Sequence, residues 1–102
     1  MQEWKAEEFS RAVEEKLTFV LFIYTPMCGT CKLAERMLSV TLEALPAVNA
    51  RSININLAPD MARMWEITSV PALLLFREGE LIERHYAIQS AAFLFERLKE
   101  WF

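Results

Sequence analysis

The chain has 102 residues, a formal net charge of −3 and 54% hydrophobic residues. That length fits one compact domain spanning residues 1–102, apolar enough to build a core without disulfide staples or a structural metal, and too apolar for a disordered segment. The 14 acidic and 11 basic residues are interspersed, which leaves no basic footprint for nucleic acid or an anionic membrane, and no apolar run approaches the length of a membrane span.

Met1-Gln2-Glu3-Trp4-Lys5 lacks the basic-then-apolar order of a signal peptide. A start without that order leads to the expectation of a cytoplasmic protein, in a compartment that keeps thiols mostly reduced. These residues offer at most a faint edge strand. Ala6, Phe9, Val13 and Leu17 recur at helical spacing among Glu7, Glu8, Arg11, Glu14 and Glu15, which predicts an amphipathic helix ending near Lys16. Residues 17–24 are a continuous apolar, β-branched and aromatic run, suited to a strand covered on both faces, and Thr25-Pro26 ends it. Leu33, Ala34, Met37, Leu38, Thr41, Leu42 and Leu45 form the stripe of a second helix that stops at Pro46. Residues 51–56 alternate around Ile53 and Ile55 and predict a strand. Residues 59–66 predict a short helix presenting Met61, Met64 and Trp65 on one side. Residues 72–76 predict another buried strand, Glu78-Gly79 a hairpin turn into residues 80–87, and Ser90 the cap of a closing helix that lays Leu94, Leu98 and Trp101 on the core. This order predicts an α/β sandwich of three layers.

Cys28-Gly29-Thr30-Cys31 holds both cysteines of the chain. In the first turn of a helix, residues i and i+3 lie about 5–6 Å apart, within the Cα range a disulfide needs. Cys28 then sits at the helix N-terminus, where unpaired N–H groups and the dipole favour an anion, and a thiolate is the attacking species in disulfide exchange. Cys31, one turn in, is more sheltered and placed to resolve a mixed disulfide. Two other readings of the pair stay open at this level. Cysteines are often buried for packing alone. They can also be half of a metal site, although tetrahedral zinc wants four ligands and the chain adds only one histidine, His85. His85 lies in the charged run Glu83-Arg84-His85-Tyr86, which reads as a solvated strand face.

From residue 17 onward the chain resembles the thioredoxin family. The resemblance is carried by Tyr24-Thr25-Pro26-Met27-Cys28-Gly29-Thr30-Cys31-Lys32, by Ile53-Asn54-Ile55, by Ile67-Thr68-Ser69-Val70-Pro71-Ala72-Leu73-Leu74-Leu75-Phe76, and by the hairpin Arg77-Glu78-Gly79-Glu80. It implies a thioredoxin fold with a mixed sheet of four to five strands. It also implies thiol-disulfide exchange without a cofactor or metal, Cys28 as nucleophile and Cys31 as resolving thiol. Pro71 would be cis and face the cysteines, and a proline can open a strand there. The Val70 backbone would bind an extended substrate, with Met27, Ile67, Ala87 and Ile88 as the apolar rim. The implied partners are protein thiols and disulfides and a thioredoxin reductase or other thiol reductant, met by a monomer.

Departures from the family pattern mark Phe22, Gly29 and Thr30 as tuning positions. Phe22 stands where such proteins carry a buried acid, Ser52 where that acid has its lysine, and Met27 where a tryptophan precedes the first cysteine. Thr30 replaces the usual proline and Ala87 a glycine. Without the acid, resolution by Cys31 is expected to be slow and mixed disulfides long-lived. The competing reading is a thioredoxin-fold binding module or redox adaptor with little turnover. Glutathione-dependent chemistry is disfavoured by the lack of a Gly-Gly-x-Asp-like motif after the hairpin. The lack of a histidine between the cysteines tilts the direction toward reduction.

Overall fold

Runs with almost no polar side chain have to be covered on both faces, and the architecture follows from that need. The computed structural model describes residues 1–101; Phe102, the last residue of the expected domain, lies outside the described residues. In chain order it holds β1 (Gln2–Glu3), α1 (Ala6–Glu14), β2 (Phe19–Tyr24), α2 (Gly29–Ala44), β3 (Ala50–Asn54), a 3₁₀ turn (Ile55–Leu57), α3 (Pro59–Met64), β4 (Ala72–Arg77), β5 (Glu80–His85) and α4 (Ala91–Leu98). The strands form one mixed sheet of five in the order β1-β3-β2-β4-β5. β1 and β2 flank β3 in parallel, whereas β4 runs antiparallel to both β2 and β5. Helices α1 and α3 cover one face and α2 and α4 the other.

Alternation along β2 and β4 deals their side chains to two separate cores. Phe19, Leu21, Ile23, Leu74 and Phe76 meet Phe9 and Ala12 of α1 and Met61 of α3. Val20, Phe22, Leu73 and Leu75 meet Cys31, Ala34 and Leu38 of α2 and Leu94 and Leu98 of α4. The first core is aromatic: Phe19 stacks on Phe76 with centroids 4.7 Å apart, and Phe9, Trp65 and Trp4 meet this pair edge-on. In the second, Thr41 ties α2 to α4, its hydroxyl donating to the carbonyls of Met37 (3.0 Å) and Ala91 (3.3 Å).

Several element ends differ from the sequence expectation, each for a local reason. The first helix stops at Glu14 because Lys16, at φ 57°, reverses the chain and Leu17 N–H bonds back to Ala12 O. Leu17 is therefore exposed rather than core, and β2 begins at Phe19. β3 ends at Asn54, whose side chain accepts from Asn56 N–H and starts the 3₁₀ turn that takes Ile55 out of the strand. On α2, Leu33 is 56% exposed and not part of the buried stripe, and on α3 Met64 turns to solvent while Met61 is buried.

The charged run at the end of β5 is not a solvated face. Leu75 pairs with Glu83 but Phe76 with Leu81, so Ile82 is an extra residue, a β-bulge. The bulge moves the odd-numbered side chains from one face to the other: Leu81 packs with the aromatic core, whereas Glu83 and His85 turn toward α4. There His85 Nε2 lies 2.8 Å from Glu83 Oε1, its ring meets Phe93 edge-on, and Arg97 of α4 bonds both Glu83 oxygens. The His85 side chain is only 23% exposed.

The β4–β5 hairpin turns at Glu78 and Gly79 with φ 52° and 82°, the left-handed pair that a tight two-residue turn requires. Its tip is fastened to the α1–β2 corner. Gly79 N–H donates to Leu17 O at 3.0 Å and Glu78 N–H to Thr18 Oγ1 at 3.1 Å. A Cβ on Gly79 would lie 2.7 Å from Val13 O, which leaves no room for a side chain.

Candidate active site

The site forms where β2 ends and α2 begins, beside the start of β4. Cys28 N–H donates to Thr25 O at 3.2 Å, which folds residues 25–28 into a turn. Cys28 is the N-cap of α2, with extended backbone, and its Sγ accepts the Cys31 N–H at 3.1 Å. A sulfur here occupies the place a serine or aspartate oxygen takes at other helix starts, so the bond and the dipole both favour negative charge on Cys28. The Thr30 hydroxyl is a second partner, with Oγ1 3.3 Å from Cys28 Sγ. Cys28 and Cys31 form a disulfide with Cα atoms 5.2 Å apart. Cys28 is half-buried and Cys31 only 3% exposed. Of the two residues, Cys28 is the more exposed.

Beneath the pair the sheet is hydrocarbon. Phe22 is fully buried in the same cluster as Cys31, and its in-register neighbour on β3 is Ser52, also buried. The ring of Phe22 stacks on Tyr24 at 6.1 Å. Among the described residues of that cluster there is no carboxylate. Gly29 opens the helix on the solvent side, with open space around its Cα.

The Val70–Pro71 peptide is cis, and Pro71 immediately precedes β4. Val70 and Pro71 line a cleft of about 410 Å3 together with Thr30, Leu33, Ala34 and Met37 of the second helix and Tyr86, Ala87, Ile88 and Gln89 beyond β5. Of the expected rim residues, Ala87 and Ile88 stand in this cleft. Met27 and Ile67 do not. Met27 projects into solvent, 94% exposed. Ile67 packs on the aromatic core instead, because Glu66 at φ 55° reverses the chain after α3 and Ile67 N–H bonds back to Ala62 O at 2.9 Å.

Tyr86 secures the chain ahead of Pro71. Its hydroxyl accepts from Thr68 N–H and from Arg84 and donates to Glu66 O. Burial alone would raise the Tyr86 hydroxyl, but the bonds to Thr68 and Arg84 outweigh it and hold it below its ordinary range. Sequence reasoning missed Thr30, Leu33 and Tyr86 as cleft residues. Thr30 and Leu33, three apart on one helix, carried the signal for a shared face; Tyr86 gave none.

A second cleft, of about 200 Å3, lies on the other side of Cys31 and is lined by Tyr24, Thr25, Pro26, Cys31, Lys32 and Glu35. The Tyr24 hydroxyl donates to Glu3 of β1. Burial, this bond and the charges of Glu3 and Glu35 push Tyr24 up to about 12. Among the described residues no group of three or more His, Cys, Asp or Glu is placed to hold a metal ion, and no helix is long and apolar enough to cross a membrane.

The thioredoxin family model matches residues 1–100. A thioredoxin-like protein of Bacillus subtilis, YusE, is 40% identical over 100 residues, covering 98% of this chain and 92% of the relative. The thioredoxin of Chlamydia trachomatis is 27% identical over 84 residues, covering 82% and 81% of the two chains. Among solved structures, chloroplastic thioredoxin z superposes with a TM-score of 0.84 at 20% identity, over 98% of this chain and 92% of the other.

Proposed function

Since the chain belongs to the thioredoxin family of protein-disulfide oxidoreductases, we propose that it reduces or exchanges protein disulfides by a dithiol mechanism, with Cys28 attacking and Cys31 resolving. One observation carries this assignment of roles. The sulfur of half-buried Cys28 caps α2 and receives the Cys31 amide, while Cys31 is buried one turn along. In the reduced protein the same amide, the helix start and the Thr30 hydroxyl stabilise a Cys28 thiolate. That thiolate attacks a substrate disulfide, one substrate thiol leaves, and a mixed disulfide to Cys28 remains. Cys31 loses its proton, bonds to Cys28 and displaces the second substrate thiol.

The cleft beside Pro71 supports a place for the substrate chain. Extended backbone running along Val70 can bond its main chain, with apolar side chains against Leu33, Met37 and Ile88. The domain acts as a cytoplasmic monomer on protein thiols and disulfides, re-reduced by a thioredoxin reductase or another thiol reductant. Reduction of insulin by dithiothreitol, followed by turbidity, tests the reading. Wild type accelerates precipitation and Cys28→Ser returns it to the background; a Cys28→Ser protein as active as wild type overturns it. The buried Phe22 ring favours a second reading, a capture module that forms mixed disulfides and turns over little. Its mark would be one trapped partner per chain with no acceleration.

A further inference from the structure

Dithiol exchange needs a home for the Cys31 proton, and among the described residues the sheet strands clustered with Cys31 supply apolar side chains such as Phe22, with Ser52 beside it in register, and no carboxylate. An unassisted thiol with a pKa near 8.5 is only a few per cent ionised at pH 7. The cleft on the far side of Cys31 presents a different group. Glu35 stands four residues beyond Cys31 on α2, on the same helical face one turn along, and both line that cleft. Its volume of about 200 Å3 has room for several waters, each occupying about 30 Å3. Among the described residues Glu35 makes no ion pair. The other charged or titratable groups facing the cleft are Lys32 of α2 and Tyr24 of β2, with Glu3 of β1 behind the Tyr24 hydroxyl. Tyr24 is no rival as base, because its hydroxyl is protonated and already committed to Glu3.

We propose that Glu35 is the base that relieves Cys31 of its proton, through one water in this cleft. The inference rests on the reading of Cys31 as resolving thiol. In the mixed disulfide, the Glu35 carboxylate takes the Cys31 Sγ proton by way of the water. The Cys31 sulfur bonds to Cys28 Sγ, the bond from Cys28 to the substrate sulfur breaks, and its electron pair leaves on the substrate as thiolate. The protein pair is thereby oxidised and the substrate disulfide reduced. The released thiolate takes a proton from solvent, and Glu35 returns its own to solvent. The family position for the acid, at Phe22, is thus replaced by one on the helix side of the sulfur.

The test separates the two steps. Reduced protein is mixed in a single turnover with a symmetric aromatic disulfide whose thiolates are coloured on release, so that attack by Cys28 gives the first equivalent and resolution by Cys31 the second. Glu35→Gln is expected to leave the first phase unchanged and slow the second on the order of ten- to a hundredfold near pH 6. The wild-type second phase keeps a flat limb at neutral pH, whereas the Gln variant rises in proportion to hydroxide and approaches wild type near the thiol's own range of about 8.5. Glu35→Asp restores the flat limb in part. A Gln variant with unchanged rate and pH profile, or with a faster second phase, overturns the role of Glu35. Release of both equivalents by Cys31→Ser would instead overturn the dithiol reading on which it rests.

Discussion

The two faces of the sheet are built from the same two strands but to different ends. On the α1/α3 face, Phe9, Phe19, Trp65 and Phe76 interlock as stacked and edge-on rings, with Trp4 closing the side. On the α2/α4 face, the packing is mostly aliphatic and includes Cys31 as a core residue. Rings bury the most area per side chain and fix their own geometry. The cysteine pair rests on the other face, where Cys31 lines one cleft and Thr30, Ala34 and Pro71 line a second. The interlocked rings are thus on one side of the sheet and the proposed chemistry on the other.

Substitutions can break that division or sharpen it. The largest effect expected is from Cys28→Ser, which removes insulin reduction down to the dithiothreitol background yet leaves the thermal midpoint of the reduced protein in place. Loss of folding by this variant would show that the division is false. Phe19→Ala on the opposite face should cost about 3–5 kcal/mol by urea unfolding, with the rate per folded molecule unchanged; a changed rate would mean that the aromatic core shapes the site. Phe22→Asp crosses the two roles. It trades a buried ring for a carboxyl with no partner, at a cost of about 3 kcal/mol or more. The same change puts an acid under Cys31, and faster resolution of mixed disulfides is the expected gain; equal rates would remove Phe22 from the kinetic argument.

The smallest effect is at the far end of the α2/α4 face, in the cluster of Glu83, His85 and Arg97. Burial pushes the Glu83 carboxyl up, but hydrogen bonds from Arg97 and His85 and their charges outweigh it and hold the group below its ordinary value. A depressed carboxyl contributes stability that is present above its unfolded pKa of about 4.3 and is lost as pH falls through its folded value. Glu83→Gln should therefore flatten the acid side of the stability profile and cost less than about 1 kcal/mol at neutral pH. Activity at neutral pH should not change, since the cluster touches neither cleft.

What could be read from the residues alone was what local chemistry decides. The apolar runs at residues 17–24 and 72–76 pointed to buried strands, and the strands observed there are Phe19–Tyr24 and Ala72–Arg77. Ser90 announced a helix start, and its hydroxyl accepts the Phe93 N–H at 3.0 Å. The three-residue spacing of Cys28 and Cys31 stated its own geometry. Register decided the rest, and it is not a local property. A single extra residue at Ile82 sent His85 from an expected solvated face to a half-buried place against Phe93. A reversal at Glu66 took Ile67 to the other core. Glu35 lies off the apolar stripe of the second helix, and nothing in the sequence tells that a cleft opens beside Cys31 at that turn.

The hairpin tip has a practical consequence for anyone who would cut or splice this molecule. Exposed hairpin ends are ordinarily where a chain accepts insertions or new termini. Here a peptide spliced between Glu78 and Gly79 would have to pry loose the amides held by Leu17 and Thr18, some sixty positions earlier. Pro46 and Ala47 are exposed in the connection from α2 to β3, and among the described residues the backbone bond that spans them is that from Val48 N–H to Leu45 O. A reporter or an affinity handle belongs there, away from the corner that clasps the two halves of the polypeptide together.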